Sequence, residues 1–332
     1  MLLTFSGALN LDIIVEIESL ESVSAAVGMK LMPGREYIIS HEILNQLQGM
    51  VKTQAKIRYV GGGGSSANTC TALARIGHRT SFVGVCGKDE LGDLVLSSMN
   101  HVDLKYVKRD NKTACCIIFL TKDYKDRTIL VAPGAQTFTM DDPGTMEFLH
   151  ITSLPSREGL KTHENMVKGL GRDTVLTMDP GEIYSRMGKE TLWPMLTRTS
   201  ILFLTAVEYE MLFGSTPCKD VLETMYDQKT GHSPAFSRAL VIKKGKDGAM
   251  CILDQGQYEV VAGNVPDIVD NTGAGDSFNA GFIHAWLKGC GPEKCLESGA
   301  RLAALSLGDW GRNWLGRLNS DDQIWVVDHR KR

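Results

Sequence analysis

The sequence predicts an α/β domain with a mostly parallel, doubly wound sheet, and three observations carry that expectation. Short apolar runs end on Gly, Pro or polar turns, helical patterns separate them, and no internal repeat or low-complexity linker breaks the alternation. In chain order, LLTFSGALNLDIIVEI reads as one N-terminal strand. GHRTSFVGVCG, DTVLTMDPG, TSILFLTAVE and SRALVIKKG follow as buried strands of the parallel sheet. Helical patterns over residues 66–76, 91–99 and 208–213 lie between them. Two segments fit the alternation poorly: residues 16–59 are long and mixed in character, and KTACCIIFLTKDYKDRTILVA reads as a hairpin about a charged turn at 122–127. Together these segments, approximately 16–59 and 112–131, are expected either to form a small lid over the main sheet or to decorate its edge.

A chain of 332 residues with 43% hydrophobic content can bury a large core of its own. The 36 basic and 39 acidic side chains leave a net charge of −3, which gives no electrostatic case for nucleic acid or an anionic membrane as partner. A small-molecule ligand is the expectation. The N-terminal MLLTFSGALNLDIIVEIE turns acidic where a secretory signal would start basic, so a cytoplasmic location is expected. The eight cysteines match neither a CxxC pair nor a zinc-ligand spacing, and Cys70 and Cys86 in apolar surroundings read as buried thiols.

The segment DNTGAGDSFNAGFI, residues 270–283, places glycines and acids directly before an apolar helix. Glycines let backbone N–H groups approach a ligand, and the start of a helix offers unpaired N–H groups and a positive dipole end. Gly273, Ala274 and Gly275 therefore read as an anion pocket suited to a phosphoryl group. Asp276 has two readings, a cap for its own helix or a base beside that pocket.

This segment resembles the C-terminal signature of the ribokinase-like (PfkB) carbohydrate kinases through Asp270, Thr272 and Asp276. GGGGSSANTCTALARIGHRTSFVGVCGKDELGD is similar to the N-terminal signature through Gly63, Gly64, Asn68, residues 73–77, Gly84, Gly87, Asp89 and Gly92. The resemblance extends from GALNLD to the helix after Ala300. It implies a three-layer ribokinase-like sandwich with a mostly parallel sheet and a small β lid that closes over the acceptor. In many members the lid is also the dimer interface, so a homodimer is expected.

By the same resemblance, Asp276 is the base that takes the acceptor hydroxyl's proton, and the Gly273–Gly275 amides hold the transferring phosphoryl group. Asn10, Asp12, Gly63, Gly64 and Asn68 match acceptor-binding positions; taken alone they read as turn formers and a helix start. Lys243, Gly245, Gly248, Thr272, Gly273, Gly275 and Asn279 match the ATP side, with Asn279 and residues 304–307 near the adenine. Lys243 reads equally as a solvated surface lysine. ATP and Mg2+ are implied, and a monovalent cation stays open. The family's Asn-x-x-Glu for magnesium appears as TAVE, with Thr205 at the asparagine position, so Glu208 is expected to act through water, or as a first-turn acid on the helix dipole. DPGEIY carries Gly181 where relatives have asparagine, leaving Asp179 as an outer-sphere acid.

Two rival classes remain at this stage. YVGGGGSSAN could be a dinucleotide-binding turn, although Ser66 occupies the third glycine position and no acid closes the next strand at the expected distance. A binding homologue without turnover is motivated by Thr205 and Gly181. Sugars, sugar phosphates and nucleosides all present a hydroxyl beside a diol, so the acceptor stays open between a sugar and a nucleoside. Phe119, Tyr37 and Tyr106 are too scattered to decide it, while GMKLMPGREYIISHEILNQLQGM is reminiscent of adenosine kinases.

Overall fold

A computed structural model describes residues 1–121, 127–140, 145–214, 220–222, 238–263, 265 and 267–318. Strands run in chain order as β1 (Leu3–Ser6), β2 (Asn10–Ile17), β3 (Glu36–Ile38), β4 (Lys56–Gly63), β5 (Thr80–Cys86), β6 (Val102–Arg109), β7 (Ala114–Thr121) and β8 (Arg127–Ala132). They continue as β9 (Phe148–Thr152), β10 (Val175–Asp179), β11 (Ile201–Thr205), β12 (Ala239–Lys243), β13 (Ala249–Leu253) and β14 (Gly256–Val260). A nine-stranded sheet has the order β14-β13-β12-β11-β10-β9-β1-β5-β6. It is parallel except for β13 and β14, which add by antiparallel pairing at one edge.

The continuous apolar runs read from the sequence become strands buried on both faces. Neighbouring residues go to opposite sides: Phe82, Phe148, Phe203 and Val241 join one core, while Val83, Leu149, Leu202 and Leu240 join the other. The first core is closed by the helices Ser65–Arg75, Ala274–Leu287 and Pro292–Ser306, the second by Arg157–Lys168, Lys189–Leu196 and Ala206–Phe213. Three layers result, the ribokinase-like architecture expected from the sequence.

The misfit segments contribute to a second, five-stranded sheet, β3-β8-β7-β2-β4. β7 and β8 pair antiparallel, with Cys115 opposite Ala132 and Leu120 opposite Arg127; most of the charged turn between them, 122–126, lies outside the described residues. Two helices, Leu20–Val27 and His41–Gln54, sit between its strands in sequence. Val15, Ile17, Ile117 and Phe119 share an apolar cluster with Leu44, Leu47 and Val51 of the second helix. The opposite face carries Ile14, Cys116, Ile118 and Val131 as a separate small cluster.

The single N-terminal strand expected from LLTFSGALNLDIIVEI is two strands in different sheets. β1 pairs with β5 and β9 in the large sheet, and β2 pairs with β4 and β7 in the small one. The break falls at Gly7, where an added Cβ would lie 2.4 Å from Thr152 Oγ1 and 2.8 Å from the Ser66 Cβ, so the chain crosses between layers at a point with no room for a side chain. A glycine inside an apolar run marks such a close approach, and it outweighs the unbroken hydrophobicity on either side.

The second crossing, from β4 into the helix Ser65–Arg75, also depends on a glycine. Gly64 caps that helix at φ 99°, and a Cβ there would fall 2.0 Å from the Ala8 carbonyl oxygen. Both the backbone conformation and the space exclude a side chain. Gly28 also has positive φ, 68°, yet faces open space. Gly64→Ala should therefore cost about 3 kcal/mol or more and Gly28→Ala only about 1 kcal/mol, read from urea unfolding midpoints.

Candidate active site

The carboxyl ends of β10, β11 and β12 carry Asp179, Thr205 and Lys243, and the helix Ala274–Leu287 begins beside them. Crevices outside strand carboxyl ends are where open α/β sheets bind ligands. Asp270 shapes the loop into that helix: its two carboxylate oxygens accept from the Thr272 N–H at 2.8 Å and the Gly311 N–H at 2.9 Å. Gly273 is the N-cap, at φ 74°, and makes no side-chain cap bond. No side chain caps the N–H groups of the first turn, and that of Ala274 donates to the Asn271 carbonyl at 3.4 Å.

Asp276 sits in that first turn but does not cap it. Its Oδ2 accepts from Asn68 Nδ2 at 2.7 Å, and its carbonyl accepts from the Thr69 hydroxyl at 3.1 Å. Burial pushes its carboxyl above the usual range and Asp179 adds to that, while the Asn68 bond, Lys243 and Arg127 pull the other way. The bond to Asn68 joins two helix N-termini that are far apart in the chain.

On the other side of Asn68 lie the strand residues. Asn10 Nδ2 donates to Asp12 Oδ1 at 3.5 Å, and Asn10 Oδ1 is buried with no hydrogen-bond partner among the described residues. Asp12 presses against Gly63, where a Cβ would lie 2.0 Å from the carboxylate carbon. Burial raises the Asp12 carboxyl to about 6, against the pull of the Arg312 guanidinium. Asp12, Gly62, Asn68, Thr272 and Gly273 line one recess together with Tyr59, Arg312 and Trp314.

The expected nucleotide side is arranged differently from the sequence reading. Lys243 is neither exposed nor free: its ammonium donates to Asp179 Oδ2 at 2.5 Å and to Asn279 Oδ1 at 3.4 Å, and the Asn279 amide donates to the same Asp179 oxygen at 2.6 Å. Asn279, expected beside the adenine, is instead fully buried within this cluster, because its helix turns that face onto β10 and β12. Burial by itself would depress the lysine, but Asp179 and Glu208 hold its pKa above the ordinary value. Asp179 is held below the usual range, since Lys243 and Asn279 outweigh its burial. Its expected place as an outer-sphere metal acid is thus taken by an ion pair. The Lys243 ammonium also lies close to Gly275, 3.3 Å from where a Cβ would be.

Thr205 and Glu208 form a capping box: the Thr205 N–H donates to Glu208 Oε2 at 2.7 Å and the Glu208 N–H to Thr205 Oγ1 at 3.2 Å. Threonine at the asparagine position is therefore a helix start, legible as T-x-x-E. Burial and the Asp179 charge raise the Glu208 carboxyl. Gly181 has φ 58°, a left-handed conformation that asparagine tolerates better than most residues, and its N–H donates to Asp179 Oδ1 at 3.3 Å. Gly245 and Gly248 form the turn between β12 and β13, with Gly248 packed against the Val260 carbonyl. Among the described residues no group of three or more His, Cys, Asp or Glu is placed to hold a metal ion.

The dinucleotide reading fails on topology. The strand before GGGG is β4, antiparallel to β2 in the small sheet, so strand, helix and β5 do not form a parallel βαβ unit. Of the cysteines, read as buried thiols, Cys70, Cys86, Cys115, Cys116, Cys251 and Cys295 are buried and unbridged, Cys290 is only half-buried, and Cys218 lies outside the described residues. Two cations escaped the sequence reading. Arg127 of β8 reaches across to the Asn271 carbonyl at 2.8 Å, and Arg312 bonds Asn68, Ser98 and Gly63. Neither sits in a glycine signature, and the one local hint for Arg312 is its aromatic setting, DWGRNW.

The family model for pfkB family carbohydrate kinase matches residues 36–313. A sugar kinase of Archaeoglobus fulgidus, described as uncharacterized, is 27% identical over 72% of this chain and 95% of its own. A nucleoside kinase of Methanocaldococcus jannaschii is 25% identical over 81% of this chain and 86% of its own. The crystal structure of adenosine kinase from Sinorhizobium meliloti superposes with a TM-score of 0.74 at 19% identity, over 93% of this chain and 94% of that one, and so shares its fold. With most of its length matched by that model, on the architecture described above, the chain belongs to the pfkB family of carbohydrate kinases, phosphotransferases of sugars and nucleosides that use ATP as phosphate donor.

Proposed function

We propose that this kinase phosphorylates a hydroxyl of a small sugar or sugar-like acceptor, with Asp276 as the base and the Gly273–Gly275 amides as the anion hole. The observation that carries the reading is the Asn68–Asp276 hydrogen bond, which brings the β2 and β4 residues to the glycine-led helix start. The acceptor's vicinal hydroxyls bond Asp12 and the unpartnered Asn10 Oδ1. The reacting hydroxyl then gives its proton to Asp276 as it attacks, and first-turn N–H groups stabilise charge on the phosphoryl oxygens.

The donor side has its own unspent group, the buried Thr272 hydroxyl, which has no partner among the described residues. It and the Gly275 N–H fit a phosphate oxygen, with the Lys243 charge close behind. Glu208 fits a magnesium ion through water, whereas Asp179 is committed to Lys243. Bound with ATP, that ion would screen the phosphate charge.

A specific feature favours nucleosides as the second reading. Beyond Asp12 the same face of the small sheet continues as Ile14, Cys116, Ile118 and Val131, with Tyr59 and Trp310 packed against them. An apolar wall beside a diol site suits a flat base. ATP consumption measured with magnesium over sugars, sugar phosphates and nucleosides separates the readings: turnover confined to nucleosides selects the second, and none with any acceptor removes both.

Asp276→Asn should lower kcat by a factor of about 1000 and leave the ATP KM within about twofold, because the amide cannot take the proton. Near-normal turnover would remove Asp276 from the chemistry.

Asp12→Ala should raise the acceptor KM about tenfold or more and leave ATP unaffected, as a charged hydroxyl contact is worth about 1.5–3 kcal/mol. In the unchanged protein only the ionised Asp12 accepts from two hydroxyls. The acceptor KM should therefore climb as the pH falls through about 6, with the ATP KM flat. Initial rates at fixed ionic strength between pH 5 and 8 check the sign.

The small sheet is proposed to act as a lid that closes on the acceptor and excludes water. Hydrogen exchange should slow in residues 115–120 and 16–59 when acceptor binds, while ATP alone protects mainly 271–275. Unchanged exchange in both lid segments would refute closure even in an active kinase.

A further inference from the structure

The Asn68 side chain sits between two charged groups of opposite character. Its Nδ2 donates to Asp276 Oδ2 at 2.7 Å, and its Oδ1 accepts from Arg312 Nε at 2.7 Å. A guanidinium only donates and a carboxylate only accepts. The two ends of the amide are thus assigned by chemistry: a flipped amide would set donor against donor at Arg312 and acceptor against acceptor at Asp276. Such a flip forfeits two charge-assisted hydrogen bonds at once.

Arg312 is itself held at three points. Besides Asn68, it donates through one terminal nitrogen to Ser98 Oγ at 3.1 Å and through the other to the Gly63 carbonyl at 3.1 Å. Ser98 can accept there because its own proton goes to the Val95 carbonyl at 2.6 Å. Gly62 keeps the approach open, since a Cβ on it would come within 3.0 Å of the guanidinium. The planar fork therefore spans the acceptor strand β4, the helix that bears Asn68 and the end of the helix Glu90–Ser97. A lysine could supply the charge, but its three donors sit on one nitrogen and cannot reach three acceptors spread around a planar fork.

We propose that Arg312 is a positioning residue for phosphoryl transfer, locking the Asn68 amide so that its Nδ2 always faces the Asp276 carboxylate. The proposal rests on the reading of Asp276 as the base and adds the group that orients its partner. Acting through Asn68, Arg312 keeps the base aimed and charged and couples it to Gly63 in the acceptor wall. The other charges around Asp276 are Asp179, Lys243 and Arg127, and Asp12 faces it across the recess. The Asn68 oxygen accepts from Arg312.

The test is a double-mutant cycle of Arg312→Lys and Asn68→Ala, with thermal unfolding confirming that each variant folds. Arg312→Lys holds the charge nearly constant and removes the fork. One arm follows the titration of the Asp276 carboxyl by carbon NMR in the ligand-free protein, assigned with Asp276→Asn. Arg312→Lys should raise its midpoint by about half a unit or more, because a lost donor favours the protonated acid. The same change made in Asn68→Ala should move it by less than half as much. A second arm measures kcat and KM with MgATP against adenosine and against fructose. Arg312→Lys should lower kcat about tenfold, keep the ATP KM, and add less than about twofold to the loss in Asn68→Ala. Asn68→Asp, which still accepts from Arg312 but repels Asp276, should raise the midpoint further than Asn68→Ala.

Wild-type behaviour of Arg312→Lys in the titration, or equal shifts in both backgrounds, would overturn the positioning role. If neither acceptor turns over, the kinase arm falls with the reading of the reaction, and the titration alone decides whether Arg312 governs Asn68.

Discussion

The hydrogen bond from Asn68 to Asp276, with its companion from Thr69 to the Asp276 carbonyl, is the constraint on which the site depends. It ties together two helix N-termini that the chain separates by 208 residues. One helix emerges from the small sheet through GGGG, the other from the glycine loop beside the carboxyl end of β12 in the large sheet. Because each helix is packed in the same apolar core, through Ala67, Cys70 and Leu73 on one and Phe278 and Phe282 on the other, the bond is held by rigid elements on both sides. Positioning an acceptor hydroxyl against a phosphoryl group requires that kind of support, since an error of about 1 Å can cost 100-fold in rate.

Behind the bond lies a second arrangement, a buried ion pair with its polar neighbours. Lys243, Asp179 and Asn279 come from the ends of β12 and β10 and from the Ala274–Leu287 helix, and Glu208 stands close by in its capping box. Burying a pair of charges costs desolvation that attraction offsets only when the geometry is good and further hydrogen bonds are made. The Asn279 amide supplies one such bond. The cluster pairs Asp179 with Lys243 and sets that ammonium directly behind Gly275 of the glycine loop. Thr205 serves this arrangement too, by holding Glu208 in place.

Legibility in the sequence followed the range of the interactions involved. The parallel strands β5, β10, β11 and β12 were readable because each is buried on both faces and so carries an unbroken apolar run. The glycine loop was readable because its constraint is local, a glycine-led helix start with no side-chain cap. The capping box at TAVE was equally local: Glu208 read as a metal acid or a first-turn acid, and the structure adds Thr205 as its capping partner. By contrast, the division of the N-terminal run into β1 and β2 depends on Thr152 and Ser66 crowding Gly7, contacts far away in the chain. Lys243 and Asn279 looked like ligand contacts because only the folded register brings Asp179 between them. Arg312, 249 residues from Gly63, had only its aromatic setting to mark it.

Asp276 shows why one residue type can satisfy demands that look opposed. The start of a helix favours a charged carboxylate, and a base must be charged to accept a proton. Burial and the nearby Asp179 oppose that charge, while Asn68, Lys243 and Arg127 support it. A carboxylate left in water would be ionised but a weak proton acceptor; one left bare in the interior would be neutral. Placing Asp276 in the first turn yet giving the cap position to Gly273 leaves its oxygens free of the helix's own amides. The side chain is then turned to Asn68, which steadies the ionised form through one oxygen. On the proposed reading the base and the anion hole share one helix end without competing for it, the amides given to the phosphoryl group and the carboxylate to the acceptor.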